Sequence, residues 1–261
     1  MHTRMRLLFS ILFTTIVFGL QAQLRTVHNQ SFEAGEELKY VLHYGIFNAG
    51  VATLRVKKTK PNKHTNRPQL YVEGIGKTTG TFSWFFKVYD EYASTIDAKG
   101  VFPYHFKRRV DEGGYKISQD YYFDHEEDKL KTQKDDVFEI SKYSQDMISA
   151  FYYARTLNFD TAKIGDVYRF QSFVDEKEDT LRIKYLGKRF VNIRNGKYRV
   201  MAFSPVVIEG NVFENDEALV VYISDDKNRV PVLAEAKILV GSVKMELESY
   251  KNLMHPLAKM P

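Results

Sequence analysis

The sequence predicts an all-β fold with one main α-helix. The expected shape is a strongly curved antiparallel sheet, or incompletely closed β-barrel, wrapped on that helix. Three observations predict it. Apolar and polar residues alternate in run after run, the period of half-buried strands. Turn signals separate the runs at short intervals: Asn48-Ala49-Gly50, Glu112-Gly113-Gly114, Asn195-Gly196 and Gly241-Ser242. Only Ser144–Leu157 carries a convincing helical period, with Met147, Ile148, Phe151, Tyr152 and Ala154 on one face and Ser144 as the expected N-cap. A half-barrel needs an apolar plug, because otherwise either its concave side or the helix face stays wet.

The elements follow in order. Leu24–Ala34 is an extended lead-in. From Glu36, the residues Leu38, Tyr40, Leu42 and Tyr44 alternate with Glu37, Lys39 and His43. Ala52, Leu54 and Val56 form the next strand, Pro61–Pro68 a polar loop, Gln69–Lys77 a strand and Thr78–Thr81 a flexible break. Phe82–Ile96 reads as a long strand with an irregular start. Tyr104–Val110 and Tyr115–Asp124 form a hairpin across Gly113-Gly114, followed by short strands at Lys129–Thr132 and Val137–Ile140. After the helix come Val167–Val174, then Leu181–Tyr185 with Gly187 as a bulge, then Lys197–Ile208 beyond the Asn195-Gly196 turn. Glu209–Asn215 is a loop. A meander from Ala218 to Tyr250 closes the sheet, with Pro231 near a strand start, where a missing N–H is best tolerated. His255–Pro261 reads as a frayed tail. The domain plan is a signal peptide over 1–22, a single β-rich domain over 23–252 and a flexible tail over 253–261. The phrases Gly35–Tyr40 and Gly165–Phe170 echo each other, as a duplication would, although Gly-acid-apolar is also a common strand opener.

Composition narrows the function classes. Arg4 and Arg6 precede the uncharged apolar stretch Leu7–Leu20, and Ala22 suits a cleavage site, so the chain reads as exported through a cleaved leader. The compartment expected is the periplasm, with the extracellular space as the alternative. Cleavage removes both arginines from a formal net charge of +5, which leaves a mildly basic chain with no track for nucleic acid. There is no cysteine, hence no disulfide, thiolate chemistry or lipid-anchoring N-terminal cysteine. Stability must come from packing, and 19 Phe with 17 Tyr suit that need. No second apolar run is long enough to span a bilayer as a helix. Charges such as Lys39, Arg55, Arg182 and Lys184 on the strands argue against a membrane barrel.

Several phrases resemble a known bacterial family, domain of unknown function 3108. They are GEELKYVLHYGIFNAGVATLRV (Gly35–Val56), WFFKVYDEYASTID (Trp84–Asp97), the Gly113-Gly114 hairpin, QDMISAFYYAR (Gln145–Arg155), and YISDDKNRVPV with GSVKMELESY within Tyr222–Tyr250. Their order covers nearly the whole mature chain. The resemblance implies an exported or envelope-associated protein with no agreed catalytic residues, so none is carried over. It also implies a shape similar to an open antiparallel barrel. The lipoprotein-localisation carriers offer an analogy of fold only.

Candidate chemistry is sparse. Tyr71–Thr78 ends like a phosphate-binding loop but has Tyr71 where the first glycine belongs and no helix after it. Asp225, Asp226 and Asn228 lack the glycine and final Glu of a calcium loop, so a solvated turn accounts for them. The histidines are scattered, and no metal site or cofactor is expected. No Gly-x-Ser-x-Gly elbow occurs. Asp90, Glu91 and Asp97 lie among aromatics that could suit a sugar, but charged strand edges explain them as simply. Alternation sends Lys107 and Arg109 to one face of their strand and Arg108 to the other.

The most suggestive segment is Phe82-Ser83-Trp84-Phe85-Phe86. Its plain reading is core filling, since Trp is highly buried on average. Its functional reading is an aromatic flap over the mouth of the curved sheet. On that reading Phe82, Trp84, Phe85, Phe86, Phe151 and Tyr152 are the candidate ligand-binding residues. The function expected is non-catalytic binding or carriage of a lipid or other apolar envelope component. The first alternative is an assembly or scaffold protein with an envelope protein partner. The second is a glycan hydrolase, which requires two carboxylates facing each other in a cleft.

Overall fold

The computed structural model describes residues 24–80, 82–205, 219–237 and 242–261. The expected leader, the Glu209–Asn215 loop and Gly241 lie outside the described residues. Before the main helix come β1 (Glu37–Tyr44), β2 (Phe47–Lys58), β3 (Gln69–Thr78), a one-turn helix α1 (Phe82–Phe85), β4 (Val88–Asp97), β5 (Pro103–Glu112), β6 (Tyr115–Asp124), β7 (Lys129–Thr132) and β8 (Val137–Glu139). The main helix α2 spans Met147–Thr156. Then follow β9 (Val167–Val174), β10 (Lys177–Ile193), β11 (Gly196–Pro205), β12 (Leu219–Ser224), β13 (Pro231–Lys237) and β14 (Ser242–Lys251).

All 14 strands join one antiparallel sheet in the order β8-β7-β6-β5-β4-β3-β2-β1-β14-β13-β12-β11-β10-β9. The chain starts in the middle of the sheet and walks to the β8 edge. It crosses through α2 to the β9 edge and walks back until β14 pairs with β1, Tyr44 opposite Val243 and Glu37 opposite Lys251. A single meander is thereby cut open between β8 and β9, where the helix crosses. The cut is laced rather than paired. The Gln145 N–H donates to the Gln171 carbonyl at 2.9 Å, and the Phe173 N–H donates to the Gln145 carbonyl at 2.8 Å. Ser141 donates N–H and hydroxyl to the Glu178 carboxylate, and Arg108 reaches Asp175 at 2.8 Å. These contacts satisfy edge groups that would otherwise template pairing with another chain.

Several elements differ from the sequence expectation for local physical reasons. The helix begins two residues after the expected cap. Its N-cap is Asp146, whose carboxylate accepts from the Ile148 and Ser149 N–H groups, while Ser149 returns a bond to the Asp146 N–H. A carboxylate that reaches two orphan donors outcompetes the hydroxyl of Ser144. Phe82–Ile96 is not one strand: the chain turns through α1 before β4. The Gly113-Gly114 hairpin forms as expected, with φ of +58° and +98° at the two glycines. The Asn195-Gly196 hairpin closes one residue early, over Arg194 and Asn195, and Gly196 opens the return strand. Gly187 marks a register shift between β10 and β11, as a bulge requires.

The C-terminal residues are bound, not frayed. The Arg199 N–H donates to the Ala258 carbonyl and the Met260 N–H to the Lys197 carbonyl. Leu253 and Leu257 pack on the cluster of Leu38, Tyr40, Tyr198, Val200 and Leu247. Val200–Ser204 are consequently buried without alternation. Val200 meets that cluster, whereas Met201 and Phe203 meet Phe159 and Tyr185.

A buried ion pair fixes the helix to the sheet. Arg155, 1% exposed, donates to both carboxylate oxygens of Glu36 at 2.7 Å. The same guanidinium donates to the carbonyls of Ser31 and Asn228. Burial favours loss of the Arg155 proton, but the Glu36 carboxylate outweighs it and the guanidinium is held charged. Arg229 then donates to the carbonyls of Arg155 and Leu157, satisfying the helix C-terminus.

Two predictions follow from these buried charges. Arg155→Met or Glu36→Gln alone leaves a partner unpaired, and each should lower the unfolding free energy by about 3–5 kcal/mol in urea denaturation. The double variant Glu36→Leu/Arg155→Met should lose clearly less than the two single losses combined. The second concerns pH. Burial raises the Asp146 carboxyl to about 6, against the hydrogen bonds from Ser94 and the helix N-terminus. The folded state therefore holds this proton more tightly than the unfolded chain. Its contribution is present at low pH and is lost as pH rises toward and through about 6. His125 acts oppositely: burial lowers it to about 4, so its contribution is present above the ordinary histidine range and lost as pH falls through about 4. Urea melts from pH 4 to 7 should show stability rising more steeply with pH in Asp146→Asn than in the parent chain. His125→Phe should show the reverse change in slope.

Candidate functional site

The helix α2 divides the barrel interior unevenly. Ile148 and Tyr152 face Val56, Val72, Ile96 and Phe32 under β2–β4. Met147, Ala150, Phe151 and Ala154 face the other half of the sheet. A cavity of about 400 Å³ remains between that second face and β9–β12. Its walls are Phe170, Ser172 and Val174 of β9, Leu181 and Ile183 of β10, Phe203 and Pro205 of β11, and Val221 and Ile223 of β12, with Phe159 beyond the helix. Alternate residues supply each wall because one face of a strand recurs every second position. Among the described residues the only charged side chain in the lining is Arg155, whose guanidinium is already engaged by Glu36, Ser31 and Asn228. What it offers the cavity is its aliphatic stem.

Strand direction shows how this space lies in the barrel. The C-terminus of α2 lies beside the β12–β13 turn through Arg155, Asn228 and Arg229. The cavity lies around the end of β9, the start of β12 and the end of β11. Those positions belong to the opposite rim, where the β1–β2, β3–β4 and β5–β6 connections also lie. Met147, at the head of the helix, is 40% exposed. The described wall of the cavity therefore runs from the helix C-terminus, at Arg155 and Phe159, toward that rim, at Val174 and Pro205.

The expected ligand residues divide between the cavity, the core and this rim. Phe151 lines the cavity. Tyr152 is fully buried against Phe32, with its hydroxyl donating to Glu36, and does not reach the cavity. Phe82 is half-buried, edge-on to Tyr44 at 6.5 Å. Trp84 and Phe85 are 83% and 76% exposed, which overturns the core-filling reading. Phe86 covers Gly113 with its ring; a Cβ on that glycine would meet the ring at 2.5 Å. None of Phe82, Trp84, Phe85 and Phe86 is in the cavity wall. Met147, Ala150, Ala154, Phe170 and Phe203 are wall residues that sequence reasoning did not single out. The Phe170-x-Ser172-x-Val174 alternation carried a signal for one face, but nothing in it identified which face was left uncovered.

The other candidates resolve as structural groups. Asp97 is bound by Arg67 and Tyr104, and Glu91 by Lys107. Asp90 and Glu112 lie within hydrogen-bonding reach of each other, and burial, then that neighbour, raises the Asp90 carboxyl. Such contact leaves less than the roughly 5 Å between carboxyls that a retaining glycosidase needs. Asp225 is held by Lys188 and Arg199. Asp226 accepts from the N–H groups of Asn228 and Ala258, so the acidic turn anchors the C-terminal segment. Among the described residues no group of three or more His, Asp or Glu could hold a metal ion. No described helix is long and apolar enough to cross a membrane.

A β-barrel-like protein of domain-of-unknown-function family 1849 from Brucella abortus aligns over 88% of this chain and 99% of its own, with 9% identity and a TM-score of 0.48. A lipoprotein candidate from Parabacteroides distasonis aligns over 88% and 100%, with 11% identity and a TM-score of 0.34. A candidate exported protein with a YmcC-like fold from Bacteroides fragilis aligns over 87% and 100%, with 10% identity and a TM-score of 0.31. No curated protein matches the chain significantly. The family model described as "Protein of unknown function (DUF3108)" matches residues 39–248, all of the sheet but the first two residues of β1 and the last three of β14, and the chain belongs to that family.

Proposed function

We propose that this chain is an exported envelope protein that binds an apolar ligand, such as a lipid acyl chain, in the cavity between α2 and β9–β12, without catalysing a reaction on it. The observation that carries this reading is the cavity itself. Its volume of about 400 Å³ falls within the roughly 300–1,000 Å³ of small-molecule pockets. Its described wall is built of Phe, Leu, Ile, Val, Ala, Met and Pro, with one hydroxyl at Ser172 and one guanidinium internally neutralised. An apolar wall of this kind rewards transfer of hydrocarbon from water at roughly 25 cal/mol per Å². It offers no ionised group to orient or activate a substrate. Export is supported by the leader pattern in the sequence. The single-domain plan is supported by the continuous sheet, in which β14 returns to β1.

The test is occupancy of the cavity. Ala154 is a small residue on the cavity face of α2. Ala154→Trp should fill the space and abolish uptake of a fluorescent fatty acid in equilibrium titration. Lys116→Ala, on the exposed β5–β6 hairpin, should bind like the parent. Native mass spectrometry of protein taken from the cell envelope should show a co-purifying lipid on the parent and none on Ala154→Trp. Equal uptake by the parent and the filled variant would place any ligand elsewhere.

A further inference from the structure

We infer that the rim carrying Ile46, Phe47, Trp84 and Phe85 is a docking surface for an anionic lipid bilayer. Ile46 is 87% exposed, Phe47 60%, Trp84 83% and Phe85 76%. They are neighbours in space. Phe47 pairs with Tyr44 across the β1–β2 turn, Tyr44 meets the Phe82 ring of α1, and the Thr79 N–H donates to the Ala49 carbonyl. Two separate projections, a strand turn and a one-turn helix, thus hold four large apolar side chains in water at one end of the barrel. Monomeric proteins rarely expose such a cluster without an interaction that covers it.

The surrounding charge identifies the occupant. Lys77 precedes the α1 connection and Lys87 follows it. Lys237, opposite Ser242, reaches the same rim, since the Gly45 N–H donates to the Ser242 carbonyl. All three lysines are exposed, and among the described residues no ion pair engages them. Among the described residues the nearest acids do not offset them. Asp111 is paired with Lys116. Asp90 and Glu112 lie on the inner face of β4 and β5, as alternation with Ser94 on the helix side requires. Protruding Trp, Phe and Ile ringed by lysines is the composition of an interfacial membrane anchor, with rings seated at headgroup level and ammonium groups on anionic lipid. A protein partner would more typically meet a flat patch of about 800 Å² than separate tips.

The cavity wall reaches this same rim at Val174 and Pro205, so a bound bilayer would lie next to that end of the cavity. That link rests on the proposed ligand reading; docking itself does not. Trp84 is the only tryptophan in the chain, so its emission reports the rim directly. Mature protein titrated with phosphatidylcholine vesicles containing phosphatidylglycerol should show a blue shift of Trp84 emission and co-flotation. Phosphatidylcholine alone should give a weaker effect. Ile46→Ser/Phe85→Ser should weaken vesicle binding about tenfold or more, and Lys77→Glu/Lys87→Glu should remove the preference for phosphatidylglycerol. All four positions are exposed, and unchanged thermal melts would show that the variants fold. The inference is overturned if Trp84 emission is unmoved by phosphatidylglycerol vesicles. It is equally overturned if the blue shift appears without lipid as protein concentration rises, which would assign the patch to a second copy. Ala154→Trp separates the two readings: it should lose fatty acid yet keep the vesicle shift.

Discussion

The pair between Arg155 and Glu36 is the contact on which the interior depends. Taking two charges out of water costs several kcal/mol per ion, and only close, saturated geometry offsets it. Here the guanidinium meets both carboxylate oxygens and two backbone carbonyls. Those carbonyls belong to the lead-in at Ser31 and the β12–β13 turn at Asn228. One side chain on α2 therefore ties together the entry to β1, the closing meander and the helix. Through Asn228 the tie extends to the C-terminal segment, whose His255 N–H bonds to the Asn228 side chain. Tyr40 and Tyr152 wall the pair, and burial raises both of their hydroxyl pKa values.

This anchor also explains why the helix fills one end of the interior. It holds the C-terminus of α2 at the β12–β13 turn, while Asp146 and Ser94 hold the N-terminus part-way up the inner wall. Ten helical residues are about 15 Å long, shorter than the strands they lie against. A plug of that length, fastened at one end, leaves the far half of the interior to side chains alone. On the β2–β4 side the aromatic and aliphatic residues close that gap. On the β9–β12 side they do not, and the cavity remains.

The open end is also where the structure departs most from economical burial. Trp and Phe residues that a core would accommodate stand in water, and among the described residues no ion pair engages the lysines beside them. The closed end shows the opposite pattern: polar groups are buried and matched, as at Arg155, Asp226 and Asn228. The contrast separates a rim that holds the molecule together from one free to meet something else.

The sequence by itself determined most of the strand content, the Gly113-Gly114 hairpin, the single main helix and the family. Period-2 alternation and turn chemistry are local and survive in any tertiary setting, and they were legible from Leu38 to Leu247. It also carried the inward face of β5, where alternation separated Arg108 from Lys107 and Arg109. Only the tertiary structure decided the helix cap, the fate of the C-terminal residues and the site. Asp146 won over Ser144 because Ser94 of β4 stabilises its carboxylate across the barrel. His255–Pro261 is ordered by Asn228 and Asp226, some thirty residues away in sequence. Phe82–Phe86 has the composition of a core segment, yet the rings of Trp84 and Phe85 stand bare, since burial depends on which surfaces meet. The cavity has the same origin. Phe151 and Tyr152 are adjacent apolar residues on one helix, and nothing in their order shows that one meets a filled wall and the other an empty one.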